Sequence, residues 1–563
     1  MTSTQHHPSL WIVTREYAGV AEAGGVKNVV KALAEAANEY GFSVTVFLPR
    51  YGCIAVTETT CIKTVSIRIA NTLHTVRYFE WCHNGLKFIL IDAELFSEKK
   101  DIYTYCAEEL EFFREKLKKP ELKKGEGYID SSEMNILFQK AVYCYGLSLC
   151  CAPDILHCHD AHTALLPAFI FSRPGGKSLF KYTRALITIH NAGDGYRQTL
   201  RPLEYAASVS GLSRPVLNYG TVENAVEPFL VGARFAHLTT VSPWYAEQLE
   251  HPEQSPYAYH FSQVIADRHI HITGITNGID FDAYDPRKTE ISGLPFAFDI
   301  QSGSLDGKYA CRSFLLEKLA AERLALPYYD GVQWFGSLAG NGSGKELYLA
   351  YHGRFVHQKG VEVLLNAASN LLEKAGAVRF ILMGQGNTDF EAAAVALTER
   401  FAGRCVYCKG YNRKIARLIT AAADFMILPS LFEPCGLEDL IAQIYGTIPI
   451  AHAQGGLQKI THGKTGFLYT IPPDDGFRSE KDRHTEMLCK TILQQIAYID
   501  SSPQKYVLDI PLFRTMILQA YQELHTVFSW KTIFADHYRK LYDTELQRPC
   551  VTESGAAFGI SEI

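Results

Sequence analysis

"LWIVTREYAGVAEAGGVKNVVKAL" (residues 10–33) starts with an apolar run, turns through the glycine pair Gly24-Gly25, and continues with Val26, Val29, Val30 and Leu33 at helical spacing. Strand, glycine turn and helix in that order are the first unit of an α/β fold. The helix start also offers unpaired N–H groups and the positive end of a dipole to an anion. Glu22, two residues before the glycines, is itself an anion, which is unexpected in a phosphate loop.

The same alternation recurs outward from this stretch. "TVFLP" (45–49), "FILIDA" (88–93), "DILHCH" (154–159), "RALITIH" (184–190) and "HLTTVS" (237–242) read as buried parallel strands. A second series follows: "LYLAYHG" (347–353), "VRFILMGQG" (378–386), "CVYCKG" (405–410), "DFMILPS" (424–430) and "IPIAHA" (448–453). Two such series predict two doubly wound, Rossmann-like α/β domains. Ligands of such sheets bind outside the carboxyl ends of the strands, so the main site is expected in a deep interdomain cleft. Residues 285–346, with the Gly/Ser/Asp-rich pieces "QSGSLDGK" and "SLAGNGSGKE", read as the seam between the domains.

A chain of 563 residues is too long for one ordinary core, which agrees with two domains. Its 47% apolar and 20% charged residues are those of a soluble globular protein. The formal charge of -5, with no long basic block, does not suggest a nucleic-acid partner. "MTSTQHHPSL" lacks a signal-peptide pattern and no apolar run reaches spanning length, so no membrane association is expected and the location is expected to be cytoplasmic. The fourteen cysteines are scattered and read as reduced thiols. "CVYC" (405–408) falls in a strand, where its two thiols point to opposite faces, and no second pair completes a zinc site.

Five motifs carry chemistry, each with a plainer reading beside it. "HCHDAHT" (157–163) gathers His157, His159 and His162 around Asp160 at a strand end, as metal ligands or as hydrogen-bonding groups; no distant partner motif supports the metal. "TIHNAGDGY" (188–196) puts His190 and Asn191 where a loop reaches substrate, or where a polar turn is needed. "HGRFVHQKG" (352–360) sets Arg354 and Lys359 in one loop, cations suited to a diphosphate or simply solvated. "LFEPCGLED" (431–439) places Glu433 at a strand-to-helix junction, as a carboxylate for sugar hydroxyls and developing positive charge or as a helix cap. Cys435 has no evident base to make it a nucleophile. "AQGGLQKI" (453–460) repeats the opening design as strand, Gly455-Gly456 and helix.

Together these motifs resemble, in order and spacing, the bacterial glycogen synthase and plant starch synthase family, retaining GT-B glucosyltransferases of glycosyltransferase family 5. The resemblance runs from about Trp11 to Tyr542 and includes "GEGYIDSSE" (125–133), "TTVSPWYAEQL" (239–249), "GITNGIDFDAYDP" (274–286), "MGQGN" (383–387) and "FSWKTIFADHYRKLY" (528–542). It implies an N-terminal acceptor-side domain over residues 1–290 completed by a C-terminal helix at 526–547. A nucleotide-sugar domain follows over 291–525, and the tail 548–563 is expected to be disordered.

The resemblance implies transfer of glucose from a nucleotide diphosphate glucose, usually ADP-glucose, to the non-reducing end of an α-1,4-glucan, without metal or other cofactor. It assigns Arg354 and Lys359 to the leaving diphosphate, Glu433 to the donor glucose and His162 to the cleft. Gly24, Gly25, Glu22, Lys27, His190, Asn191, Asn277, Gly384, Cys435, Gly436, Leu437, Gly455 and Gly456 are implied to line the substrate. Retention without a protein nucleophile fits a front-face mechanism. Oligomeric state is not readable.

The chain also departs from the family. The usual Lys-Thr-Gly-Gly-Leu-x-Asp is here Glu22-Ala23-Gly24-Gly25-Val26-Lys27-Asn28, and Lys27 is expected to supply part of the missing positive charge. At the second glycine pair a Thr becomes Gln454 and an Asp becomes Lys459. "AGDG" replaces an aromatic-containing loop after "HN", Ile441 stands where many retaining relatives carry a second glutamate, and insertions lengthen 101–124 and 328–345. Three readings follow: an active glucan synthase with an altered loop, a related retaining enzyme with another donor or acceptor, or a weakened glucan-binding homologue. The retained Arg354, Lys359, Glu433, His162 and Asn277 favour an enzyme.

Overall fold

A computed structural model describes residues 7–320, 331–339, 345–474 and 476–548. The chain divides into two compact units, Met1–Asn277 with Trp530–Ile563, and Gly278–Ser529.

In the first unit the strands are β1 (Ser9–Val13), β2 (Ser43–Pro49), β3 (Thr60–Ile69), β4 (Thr72–His83), β5 (Leu86–Asp92), β6 (Ile155–His159) and β7 (Arg184–Ile189). A short pair, β8 (Thr221–Val222) and β9 (Ala225–Val226), precedes β10 (His237–Thr240) and β11 (Ile272–Gly274). Among the described residues nine of them form one sheet in the order β11-β10-β7-β6-β1-β2-β5-β4-β3. β1 pairs in parallel with both β2 and β6, so the winding reverses there. That reversal opens a crevice at the carboxyl ends of β1 and β6, from which the Gly24-Gly25 loop and the Asp160–Thr163 turn emerge. The central strands β1 and β6 are buried almost throughout, as expected where helices cover both faces. The edge hairpin β3–β4 is antiparallel and half exposed; its alternating "TCIKTVSIRI" is a one-faced strand, which the search for apolar runs passes over.

In the second unit the strands are β12 (Val332–Leu338), β13 (Leu347–His352), β14 (Val378–Gly384), β15 (Arg404–Gly410), β16 (Phe425–Leu428), β17 (Ile448–His452) and β18 (Phe467–Tyr469), ordered β12-β15-β14-β13-β16-β17-β18. All pairings are parallel except β12 with β15. The reversal lies between β13 and β16, the strands that precede the "GRFVHQKG" and "LFEPCGLED" loops.

Three expectations about organisation need correction. The units part between Asn277 and Gly278, not at 290/291, and residues from Trp530, not 526, join the first unit. The expected seam at 285–346 belongs, where described, to the body of the second unit. Arg417 donates to the carbonyls of Ala283 and Ile291 (both 2.7 Å), and from the helix Asp306–Ala320 the buried Lys308 donates to Ala421 O (2.9 Å) and Thr447 Oγ1 (2.7 Å). Arg312 on that helix pairs with the fully buried Asp424. A glycine-rich composition looks like a linker, but these cations find their carbonyl and carboxylate partners inside the unit. Residues 321–330 and 340–344, and the tail beyond Arg548, lie outside the described residues. The returning segment is held on the first unit by Phe534 against Tyr40 (5.2 Å between centroids) and by Tyr542 OH, 2.8 Å from His157 Nδ1.

Candidate active site

The second unit holds nine of the expected residues: Arg354, Lys359, Gly384, Glu433, Cys435, Gly436, Leu437, Gly455 and Gly456. Lys359 closes the short turn His357–Lys359 after β13, and its Nζ donates to Glu433 Oε2 at 2.6 Å. Ser430 Oγ donates to the same carboxylate oxygen at 3.1 Å, and Gly456 N–H donates to the Glu433 carbonyl at 2.8 Å. Both ends of Glu433 are therefore held. Arg354, in the same loop as Lys359, is exposed. Gly360 lies so close to Pro429 that an added Cβ would stand 2.0 Å from its carbonyl oxygen, and Gly384 equally close, 2.1 Å, to Gly353 O. These glycines let the loops after β13, β14 and β16 touch backbone to backbone.

The turn Gly455–Lys459 is a single 3-10 turn, not the helix expected from the sequence; it is followed by extended backbone at Ile460. Gly456 lies against Cys435, where a Cβ would meet the carbonyl oxygen at 2.0 Å, and Gly436 takes φ +71 beside Leu457 and Glu433. Lys459 lies beneath, 7% exposed, with Nζ donating to the carbonyls of Cys435 (2.8 Å), Gly436 (2.9 Å) and Gly456 (3.0 Å). It also pairs with the fully buried Asp439 at 2.9 Å, although the carboxylate receives no well-angled hydrogen bond. Burial raises the Asp439 pKa, against the pull of Lys459. Leu437 precedes the helix Glu438–Ile444. Nearby, Tyr411 projects from the end of β15 with 65% of its surface exposed, beside a cavity of about 70 Å³ that His352, Arg413 and Glu438 also line.

In the first unit the glycine loop is closed by its own acids. Glu22 Oε1 accepts from Gly19 N–H (2.7 Å), and Oε2 pairs with Lys27 Nζ at 3.3 Å. Lys27, expected to supply part of the missing positive charge, thus has a carboxylate partner within the loop itself. Gly24 N–H donates to Glu16 Oε2 at 2.6 Å, while Glu16 Oε1 accepts from Tyr103 OH, also at 2.6 Å. Gly25 stands in open space at the start of the helix Val26–Glu39. Arg15, 4% exposed, lies with its guanidinium 5.0 Å from the centre of the Tyr103 ring and donates to Tyr51 OH (2.7 Å) and Asn135 Oδ1 (2.9 Å). Arg15, Glu16 and Tyr103 escaped the sequence reading. Tyr103 comes from the insertion at 101–124, and nothing in the sequence ties it to the glycine loop.

His157 and His159 of "HCHDAHT" bond to side chains from neighbouring segments, and their own rings stack on each other. His157 Nε2 lies 2.6 Å from Thr188 Oγ1, and His159 Nδ1 lies 3.0 Å from His190 Nε2, with the other His159 nitrogen buried and unpartnered. Burial holds His157 and His190 down to about 3, and His159 and His162 well below the ordinary range, so all four are neutral. Asp160, at φ +61, accepts from His190 N–H at 2.8 Å, and burial pushes its carboxyl up to about 7. Among the described residues no group of three or more His, Cys, Asp or Glu is placed to hold a metal. His162 stands apart from this pair, its ring 5.3 Å from that of Tyr103, in the turn before the helix Leu166–Phe171 rather than at its start. Asn191 Oδ1 accepts from Gly193 N–H at 2.8 Å, the turn-forming role that was the plainer alternative. Asn277, the last residue of the first segment, has a buried Oδ1 without a partner.

Comparison with known proteins matches residues 9–265 to the starch synthase catalytic domain and residues 346–480 to the glycosyl transferases group 1 model. Glycogen synthase from Aeromonas hydrophila is 30% identical over 480 residues, covering 82% of this chain and 87% of its own. Glycogen synthase from Thermodesulfovibrio yellowstonii is 27% identical over 543 residues, 92% of this chain and all of its own. Among solved structures, the catalytic domain of starch synthase IV from Arabidopsis thaliana, bound to ADP and acarbose, superposes with a TM-score of 0.74 at 22% identity, covering 96% of this chain and 100% of its own. The fold is that of the GT-B glycosyltransferases.

Proposed function

The chain belongs to the glycogen and starch synthase family of glycosyltransferases, and from that premise we propose that it transfers glucose from ADP-glucose to the non-reducing end of an α-1,4-glucan, with retention of configuration. The observation that carries the reading is the Lys359–Glu433 pair at 2.6 Å, set by loops that meet at the reversal of the second sheet.

In this reading Lys359 and the exposed Arg354 take the charge of the leaving diphosphate, the task that a bound metal performs in other transferases. No metal takes part. The bond from the anomeric carbon to the diphosphate oxygen breaks first, and the ring gains oxocarbenium character. Glu433, held by Ser430 and Gly456, keeps its carboxylate where it stabilises that positive charge. The buried Cys435 thiol supplies no nucleophile. The acceptor hydroxyl therefore attacks on the face the diphosphate leaves, and a diphosphate oxygen takes its proton.

Tyr411 offers a ring face on which a nucleobase can stack. In the first unit, the neutral His190 and the Asp160 carboxyl suit uncharged sugar hydroxyls. The ADP and acarbose bound to the Arabidopsis neighbour support an adenine nucleotide donor and a glucan-like acceptor. Among the described residues no helix is long and apolar enough to cross a membrane. Initial rates with ADP-glucose and UDP-glucose, each with glycogen and with or without chelator, test the proposal. ADP-glucose is expected to be preferred and the rate to survive chelation; preference for UDP-glucose overturns the donor, and loss in chelator overturns the metal-free step.

A further inference from the structure

Lys459 and Asp439 form a charged pair inside the second unit, directly under the loops that hold Glu433. The side chains are 1% and 0% exposed, so both ions are removed from water, and a buried pair of this kind seldom adds net stability over apolar residues of the same size. What the lysine does is specific. It has three N–H donors, and its Nζ lies within 3.0 Å of three carbonyl oxygens, those of Cys435, Gly436 and Gly456. Two of those carbonyls belong to the loop after β16 and one to the turn after β17.

We propose that Lys459 is a positioning residue for the transfer reaction: it ties the Cys435–Gly436 turn to the Gly455–Gly456 turn and so fixes Glu433, while Asp439 only balances its charge. The consequence runs through short links. Gly456 N–H holds the Glu433 carbonyl, and Gly456 itself has no room to shift because Cys435 lies against it. Freeing the Cys435 and Gly436 carbonyls lets this interlocked turn relax. Glu433 and its partner Lys359 then lose their register, though among the described residues no hydrogen bond or ion pair joins either to Lys459. The inference rests on the reading of Glu433 proposed above.

The two members of the pair are therefore unequal, and that inequality is the test. Asp439→Asn keeps the lysine and its carbonyl contacts, and is expected to lower thermal stability with kcat within about threefold of the parent. Lys459→Met removes the tie and is expected to lower kcat about 30-fold or more with a smaller change in donor KM. Lys459→Met/Asp439→Leu removes both charges, so that a kcat loss persisting in this stably folded variant is not a loss of fold. Hydrogen exchange of peptides spanning 431–438 and 453–460 in the unliganded protein gives a readout free of any donor. Exchange is expected to rise in both Lys459 variants and to stay near the parent in Asp439→Asn. Equal kcat losses in Lys459→Met and Asp439→Asn, or unchanged exchange and kcat in the folded double variant, overturn the proposal. A parent protein that transfers no glucose, with exchange still rising in the Lys459 variants, overturns the proposed function and leaves the tie between the turns intact.

Discussion

Gly24-Gly25 and Gly455-Gly456 each follow a buried parallel strand, one in each unit, and in sequence they look like two copies of one device. Their surroundings are opposite. The first pair is met by carboxylates, Glu16 on Gly24 N–H and Glu22 on Gly19 N–H, and opens into a 14-residue helix with free space around Gly25. The second is met by a lysine beneath it and by backbone on top, and ends after one 3-10 turn. A loop that holds Glu16 on Gly24 N–H and Glu22 on Gly19 N–H brings two carboxylates to its own mouth, which disfavours a phosphate there. A loop packed backbone to backbone beside Lys359 and Glu433 serves to hold charged groups still. The difference teaches that a glycine pair after a strand does not by itself fix a function, and that the charged and backbone groups packed around it decide its chemistry.

The largest expected effect lies on the second side. Glu433→Ala and Lys359→Ala should each lower the initial rate with ADP-glucose by about a thousandfold, the scale for removing one preorganised charge at a reacting centre. Near-parental rates in both would remove the second loop's claim to the chemistry.

The glycines themselves come next. Gly456→Ala places a methyl 2.0 Å from Cys435 O and is expected to cost about 3 kcal/mol or more in stability, read by chemical denaturation. Gly25→Ala meets no atom within 4 Å at a negative φ and should cost under about 1 kcal/mol. Equal costs would erase the contrast between the pairs.

Acid sharpens it from the first side. His157 is held neutral with its pKa down to about 3, so the stability it contributes is fully present above the ordinary value near 6.5 and is lost as pH falls toward 3, because the unfolded chain binds the extra proton. Asp160, raised to about 7, works in the opposite direction between its ordinary value and 7. His157→Phe leaves Tyr542 OH and Thr188 Oγ1 without that partner and should be the less stable protein at pH 7. Its deficit against the parent should shrink by about 2 kcal/mol at pH 5, measured by denaturation at both values. A constant deficit would mean that His157 titrates normally.

The smallest effect concerns the acid that first marked the loop. Lys27 and Glu22 pair at a partly exposed site, where such pairs contribute about 0–1 kcal/mol. Lys27→Ala should leave donor KM within about threefold; a tenfold rise would return Lys27 to the substrate.

Much of the fold was legible because central parallel strands are continuous apolar runs. "RALITIH" and "VRFILMGQG" announce β7 and β14 directly, and the motif order gave the family. The edge strands β3 and β12, and β4 beside β3, were not read, since one face meets solvent and their apolar residues are diluted. In the site, Lys359, Glu433 and the second glycine pair were legible from adjacent motifs. Arg15, Glu16, Tyr103 and the Lys459–Asp439 pair were not, because each joins segments distant in sequence. Tyr103 and Glu16 are 87 positions apart.

By itself the sequence determined two doubly wound units, the strands at their centres and the family, because periodicity and motif order are properties of the chain alone. Tertiary structure decided where the units divide, that Lys27 lies against Glu22, and that the buried Lys459 bonds carbonyls of two separate turns. A charge has no fixed partner until folding brings one within about 3 Å and removes the competing water. At that distance the partner, more than the residue type, sets what the charge does.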